Sequence, residues 1–151
     1  MSKFFFIPLI ILLITGCSYK PILTNKQQDF KFENISYEGN SEINNTIKQS
    51  LIKKSKGKKR YNIDFSSNLS KEIFSSNAKG DPTIYKLRIN VTYAVKEKGQ
   101  IILENNISKQ KTYNNINDKF ELSKYEDNII YNLSENISSE IMLSVSSLSE
   151  W

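Results

Sequence analysis

Histidine is absent from this chain of 151 residues, and Cys17 is its only cysteine. The missing histidine removes the commonest general base and the commonest metal ligand. A single cysteine excludes a disulfide within the chain and any zinc site built from several thiolates. Ser-His and Cys-His catalysis are therefore excluded, and we expect neither a catalytic residue nor a metal.

Long apolar runs are also scarce. The one at residues 4–14 follows Lys3 and is shorter than the ~20 residues that span a bilayer, so it predicts the central region of a signal peptide. It ends in Leu13-Ile14-Thr15-Gly16-Cys17, which resembles the lipobox of bacterial lipoproteins. Small residues before the cut admit the peptidase, and the Cys17 thiol can form a thioether to diacylglycerol. The alternative is an ordinary secretory signal followed by an unrelated cysteine.

Processing at this motif defines the organisation of the chain. We interpret residues 1–16 as the signal peptide, residues 17–28 as a lipidated tether, and residues 29–151 as one domain. We expect no cofactor besides the covalent diacylglycerol and acyl chain on Cys17. Acyl chains contribute ~0.8 kcal/mol per buried methylene, and several chains on one residue make membrane anchoring stable.

The charge balance of the chain is modestly positive. The whole chain has 21 basic and 16 acidic residues, and removal of Lys3 with the signal peptide leaves 20 against 16, a net charge of +4. On an exported, membrane-tethered protein this excess favours anionic partners such as lipid phosphates. It is too weak to indicate nucleic acid, which we do not expect as a partner.

The first half of the domain alternates short patterns. Residues 30–37 predict a strand. Ser41 is the predicted N-cap of a helix that ends near Lys54 and places Ile43, Ile47 and Leu51 on one face. Residues 61–65 predict a second strand, with the segment to about residue 71 as a candidate extension, and residues 75–82 predict a loop.

The second half has the clearest patterns. Residues 85–95 alternate without interruption, residues 97–100 predict a hairpin turn, and residues 101–113 predict the return strand. A long helix is predicted from near Ser123. Its apolar positions at helical spacing are Ile129, Ile130, Leu133, Ile137, Ile141, Val145 and Leu148, and the opposite side is assigned to Asn132, Ser134, Glu135, Ser138 and Ser139. Each helix has one apolar stripe, and the clearest strand has one apolar face. This predicts an α+β fold, a two-layer sandwich with two helices on one face of a mixed four-stranded sheet, in the order β-α-β-β-β-α.

A cluster of cations surrounds Gly57 at the predicted end of the first helix. This basic cluster consists of Lys53, Lys54, Lys56, Lys58, Lys59 and Arg60. Cations are favourable at a helix C-terminus, so one interpretation is a solvated helix end. The other interpretation is a loop that contacts anions.

Three segments are informative together: Cys17-Ser18-Tyr19-Lys20-Pro21, residues 83–95 and Lys124-Tyr125-Glu126-Asp127. Their order and spacing resemble the LPS-assembly lipoprotein LptE family. The first segment is similar to the opening of its alphaproteobacterial members, although Ser18 stands where the family usually has Gly. The run Thr83-Ile84-Tyr85-Lys86-Leu87-Arg88-Ile89-Asn90-Val91-Thr92-Tyr93-Ala94-Val95 looks like its central strand. Lys124-Tyr125-Glu126-Asp127 is similar to the charged start of its last helix. The resemblance covers essentially the whole chain after the signal peptide.

The resemblance implies a non-catalytic outer-membrane lipoprotein on the periplasmic face. Such proteins bind lipopolysaccharide and help to assemble and plug a large β-barrel partner, LptD. Basic residues ahead of the family's central strand and last helix contact lipopolysaccharide, and the nearest here are Lys79 and Lys124. The basic cluster is the alternative contact site. Ser18 agrees with outer-membrane residence, because Asp after the lipidated cysteine is the inner-membrane retention signal in many Gram-negative bacteria.

Two other classes of function stay open from the sequence. One is a different envelope lipoprotein, such as a secretin pilot or a structural protein. The other is a tethered periplasmic enzyme that uses carboxylates such as Asp64, Glu72 and Asp81, although nothing in the sequence places two of them around one substrate.

Overall fold

The computed structural model describes residues 29–148, which form four strands and two helices in the predicted order. The strands are β1 (Phe30–Gly39), β2 (Lys59–Ser76), β3 (Pro82–Glu97) and β4 (Gln100–Asn114), and the helices are α1 (Ser41–Lys54) and α2 (Lys119–Leu148). The predicted α+β fold is confirmed. The predicted signal peptide, Cys17 and the tether of residues 17–28 lie outside the described residues, as do residues 149–151.

The four strands form one mixed sheet in the order β1-β2-β3-β4. β1 is parallel to β2 through the α1 crossover, whereas β2–β3 and β3–β4 are antiparallel. β1 starts opposite Lys59 and ends opposite Ser67, so it covers only the first half of β2. We call the end of the sheet at which β1 begins the proximal end, and the end with the β2–β3 and β4–α2 loops the distal end. At ~3.3 Å per residue, β2 spans roughly 55 Å between them.

The hydrophobic core lies between one face of this sheet and the two helices. Along β3, Leu87, Ile89, Val91, Tyr93 and Val95 are all buried, while the residues between them face the other side. α1 contributes Ile43, Ile47 and Leu51, and α2 contributes the predicted stripe from Ile129 to Val145. The opposite face of the sheet has no helix from the described part of the chain, which agrees with its polar side chains.

The boundaries of several elements differ from the sequence predictions. β2 continues to Ser76 although its second half lacks regular alternation, because pairing with β3 satisfies its backbone as far as Pro82. The predicted loop at residues 75–82 is therefore reduced to residues 77–81. Asn40, and not Ser41, is the N-cap of α1, since its side chain accepts hydrogen bonds from the amides of Glu42 and Ile43.

α2 also starts earlier than predicted, at Lys119 instead of near Ser123. The cause is Asp118, whose Oδ1 accepts hydrogen bonds from the amides of Phe120 and Glu121 at 2.9 and 3.1 Å. A side chain that satisfies free amides at a helix start fixes that start. Lys124 consequently lies on the helix and does not open it.

Ser134 and Ser138 were wrongly assigned to the exposed side of α2, because both are fully buried. Ser138 faces α1, where it and Ser50 share a hydrogen bond of 2.6 Å between their hydroxyl oxygens. The Ser134 hydroxyl donates to the carbonyl oxygen of Ile130. Small side chains allow the two helices to approach, and the internal hydrogen bonds satisfy the buried hydroxyls. The sequence pattern treated them as polar and missed this contact between the helices.

Candidate functional site

The β2–β3 loop at the distal end holds Lys79 in an exposed position. Asn77 organises this loop: its Oδ1 accepts hydrogen bonds from the amides of Lys79 and Asp81, both at 2.9 Å. Its Nδ2 donates to Asp81 Oδ2 at 3.0 Å. Gly80 has a φ of +87°, which is accessible to glycine at little steric cost. The loop is thus a defined turn that presents the Lys79 ammonium group to solvent.

The β4–α2 loop packs beside the β2–β3 loop. The Asn115 amide donates to the carbonyl oxygen of Thr83 at 2.8 Å, and its Nδ2 donates to that of Pro82 at 2.9 Å. Between the two loops lies an open depression of about 660 Å³. It is lined mainly by amide and other polar side chains, from Asn77, Asp81, Pro82, Thr83, Ile84, Asn114, Asn115 and Asn117. Amides both donate and accept hydrogen bonds, so this surface suits a ligand with many hydroxyl groups.

Exposed aromatic rings at the distal end lie next to lysine side chains. Lys124 Nζ is 4.9 Å from the ring centroid of Phe120, which is 68% exposed. Lys86 Nζ is 5.1 Å from the ring centroid of Phe74, which is 58% exposed. Lys86 also forms an ion pair with Glu72, so the exposed Phe120 ring beside Lys124 is the better complement to a molecule that combines phosphate and hydrocarbon.

A network of hydrogen bonds centred on Glu126 holds α2 against the sheet near the distal end. Glu126 Oε1 accepts hydrogen bonds from Lys71 Nζ at 2.6 Å and from the Tyr113 hydroxyl at 2.7 Å. Lys71 Nζ also lies 4.4 Å from the ring centroid of Tyr85. Burial, together with the neighbouring Glu126 carboxylate, raises the pKa of Tyr113 well above its usual range, so this phenol is a hydrogen-bond donor at every ordinary pH. The network positions the start of α2 relative to β2, β3 and β4.

The basic cluster lies at the opposite, proximal end, where α1 leads into β2. Two of its cations are engaged: Lys54 pairs with Glu135 at 3.0 Å, and Arg60 pairs with Glu33 at 2.6 Å. The structure therefore brings Lys79 and Lys124 to the same end of the sheet and separates both from the basic cluster. The two candidate anion sites of the sequence are distinct sites.

The three carboxylates considered for catalysis are not brought together. Asp64 and Glu72 are eight residues apart on β2, roughly 26 Å at ~3.3 Å per residue, and Asp81 lies in the β2–β3 loop. Hydrogen bonds from Lys96 and Lys86 lower the pKa of the Asp64 and Glu72 carboxyls below their usual range. Both are thus ionised and paired, which is the opposite of what a general acid requires.

The sequence patterns did not indicate Asn77, Asn115 or Phe120 as parts of the distal end. Asn77 had a usable signal, since Asn followed three residues later by Gly is typical of a turn that the Asn side chain stabilises. Asn115 had none, because its role depends on the contact between two loops. Phe120 was missed because the predicted start of α2, near Ser123, lies after it.

No protein-family model and no curated protein matches the sequence. Solved structures do match the fold. The crystal structure of the rare lipoprotein B from Shewanella oneidensis has a TM-score of 0.61 at 15% identity, covering 77% of this chain and 96% of that one. The solution NMR structure of a lipoprotein B from Nitrosomonas europaea has a TM-score of 0.63 at 14% identity, covering 83% and 90%.

The crystal structure of a minor lipoprotein from Acinetobacter baumannii is also similar, with a TM-score of 0.55 at 14% identity, covering 78% of this chain and 92% of that one. The chain has the rare lipoprotein B fold. This LptE-like fold agrees with the resemblance inferred from the sequence and with an envelope lipoprotein, and at these identities it shows the fold alone. Within residues 29–148, no helix is long and apolar enough to cross a membrane.

Proposed function

We propose that this chain is a lipid-anchored lipoprotein of the outer membrane that binds lipopolysaccharide. In this proposal it also supports the assembly and plugging of an LptD-like β-barrel during lipopolysaccharide transport. The lipobox at Cys17, the residue Ser18 after it and the LptE-like fold support the placement and the class of partner. The opening at residues 17–21 favours an alphaproteobacterial-type member.

The arrangement of the distal end is the observation that supports lipopolysaccharide as the ligand. Lipopolysaccharide combines phosphates, sugars and acyl chains, and the distal end has groups that suit each of the three. Lys79 and Lys124 offer exposed cations, the amide-lined depression offers hydrogen bonds to hydroxyl groups, and Phe74 and Phe120 offer exposed apolar surface. A lysine is a point charge that attracts phosphate without demanding a bidentate geometry.

A binding role fits the described residues better than a catalytic one. The ionised, lysine-paired Asp64 and Glu72 lie far apart, and Asp81 is part of a turn. We therefore propose that the chain is not an enzyme. A secretin pilot or a structural envelope protein is the remaining alternative, and it differs in its partner.

Co-purification identifies that partner. The tagged, lipidated protein is extracted from membranes in mild detergent, and the proteins and lipids that accompany it are identified by mass spectrometry. We expect a large outer-membrane β-barrel and lipopolysaccharide. A secretin, or no membrane protein at all, would contradict the proposal.

Anchoring is tested by Cys17→Ser. The serine hydroxyl cannot form the thioether, so we expect an uncleaved precursor without lipid. Normal cleavage of this variant would show that the motif is not a lipobox. For the unaltered protein, fractionation with inner-membrane markers would contradict the proposed outer-membrane residence.

A further inference from the structure

The N-terminal tether joins the domain directly beside the basic cluster. The amides of Gly57 and Lys59 donate to the carbonyl oxygens of Phe30 and Asp29 at 2.8 and 3.0 Å. The Lys58 amide donates to Asp29 Oδ1 at 3.2 Å. A Cβ at position 57 would lie 1.8 Å from the carbonyl carbon of Asp29, so only glycine permits this close approach. The loop of the basic cluster is therefore held against Asp29 and Phe30, the first residues of the domain after the tether.

The basic cluster has more positive charge than its neighbours neutralise. Two of its six cations form ion pairs, Lys54 with Glu135 and Arg60 with Glu33, whereas the Asp29 carboxylate accepts its hydrogen bond from the backbone amide of Lys58. The side chains of Lys56, Lys58 and Lys59 are exposed and make no hydrogen bond or ion pair with any other residue between 29 and 148. A solvated helix end explains Lys53 and Lys54 but not the three further lysines beyond it.

The length of the tether determines what lies opposite these lysines. The twelve steps from Cys17 to Asp29 span at most ~40 Å when fully extended. Lipidation of Cys17 would thus hold the proximal end near the membrane surface, while the distal end lies roughly 55 Å further along the sheet. The short tether also keeps the local concentration of lipid headgroups high.

We infer that the basic cluster docks the domain on anionic phospholipid headgroups of the leaflet that contains Cys17. This inference rests on the proposed lipid anchoring, and not on lipopolysaccharide binding or on the barrel. Each basic residue near an anionic surface strengthens binding to that surface roughly fivefold, so Lys56, Lys58 and Lys59 together favour the docked state on the order of 100-fold. The cluster thereby holds the proximal end of the domain against the headgroups.

Lysine labelling of the lipidated full-length mature protein in vesicles tests the docking. The protein is reconstituted in neutral phosphatidylcholine, or in the same lipid containing phosphatidylglycerol, and an amine-reactive reagent is added. Mass spectrometry then gives the labelling rate of each lysine. We expect phosphatidylglycerol to slow labelling of Lys56, Lys58 and Lys59 several-fold and to leave Lys79 and Lys124 unchanged. High salt should restore the rates, because it screens exposed charges.

Two matched triple variants provide the control, with Lys53 as the reporter in both. Lys56→Gln, Lys58→Gln and Lys59→Gln together should abolish the protection of Lys53 by phosphatidylglycerol. Lys79→Gln, Lys119→Gln and Lys124→Gln together should preserve it. The first triple variant should still co-purify with the β-barrel, so failure of docking and failure of the proposed function are distinguishable.

Two results would overturn the inference. One is labelling that does not change with phosphatidylglycerol, or that changes only at Lys79 and Lys124. The other is protection of the basic cluster by lipopolysaccharide added to neutral vesicles but not by phosphatidylglycerol, which would assign the cluster to lipopolysaccharide instead.

Discussion

The proximal and distal halves of the sheet differ in how completely they are covered. In the proximal half, β1 completes the sheet and both helices pack on it, and Ile47, Leu51 and Ile63 are fully buried. β1 ends opposite Ser67 and does not extend into the distal half. α1 runs from there towards the proximal end, so α2 is the helix that covers the distal half among the described residues. Ile73 and Phe74, near the distal end of β2, are each 58% exposed.

This difference suggests that the proximal half contributes most to stability and that the distal half carries the proposed binding surface. Fully buried aliphatic side chains contribute most to the free energy of unfolding, and the described chain concentrates them where both helices cover the sheet. The distal half retains enough packing to hold its shape through the Glu126 network and Asn115. Its exposed rings, lysines and amides are then available to a ligand. Changes in the two halves should accordingly have different consequences.

The largest effect is expected in the proximal half, at Ile137. Ile137→Ala removes a fully buried side chain and should lower the free energy of unfolding by ~2–5 kcal/mol. Asn132→Ala, at an exposed position on the same helix, should stay within ~0.5 kcal/mol. Urea denaturation of both variants measures the difference. Equal tolerance at the two positions would contradict the packing of α2 on the sheet.

An intermediate effect is expected at the start of α2. Asp118→Ala removes the acceptor of two amide hydrogen bonds and should cost ~1 kcal/mol. Because the cap belongs to the distal half, hydrogen exchange should accelerate in the first turn of α2 and not near Ile137. Faster exchange along the whole helix would show that the two halves unfold as one unit.

The smallest effect on stability is expected at Phe74. Phe74→Ser replaces an exposed side chain and should change the free energy of unfolding by ~0.5 kcal/mol or less. The same variant should weaken lipopolysaccharide binding, because it removes apolar surface at the distal end. A variant that is strongly destabilised, or that binds normally, would remove Phe74 from the proposed site.

The sequence predicted the proximal half better than the distal half, for a physical reason. Regular apolar spacing in α1, β3 and α2 reflects direct burial, so element order and core residues such as Ile137 followed from pattern alone. The second half of β2 is polar and forms a strand because β3 pairs with it, which a local pattern does not record. The predicted exposure of Ser138 failed for a similar reason, since its burial depends on the approach of α1.

The candidate sites divide in the same way. Lys79 and Lys124 came from a family resemblance, and their placement at one end of the sheet required the three-dimensional structure. The basic cluster was visible as a charge run, but its contact with the first residues of the domain joins residues 29–30 to residues 57–59 across the fold. Neither its separation from Lys79 nor its contact with Asp29 and Phe30 could be obtained from spacing along the chain.

The affinity for lipopolysaccharide of two double variants, each with two lysines changed to glutamate, tests the central claim most directly. The distal pair is Lys79→Glu with Lys124→Glu, and the matched proximal pair is Lys58→Glu with Lys59→Glu. Exposed contacts contribute up to ~1 kcal/mol each, so the distal pair should weaken binding roughly tenfold or more, and the loss should shrink in high salt. The proximal pair should leave the affinity nearly unchanged. Loss of binding only in the proximal pair, or in neither pair, would contradict a lipopolysaccharide site at the distal end.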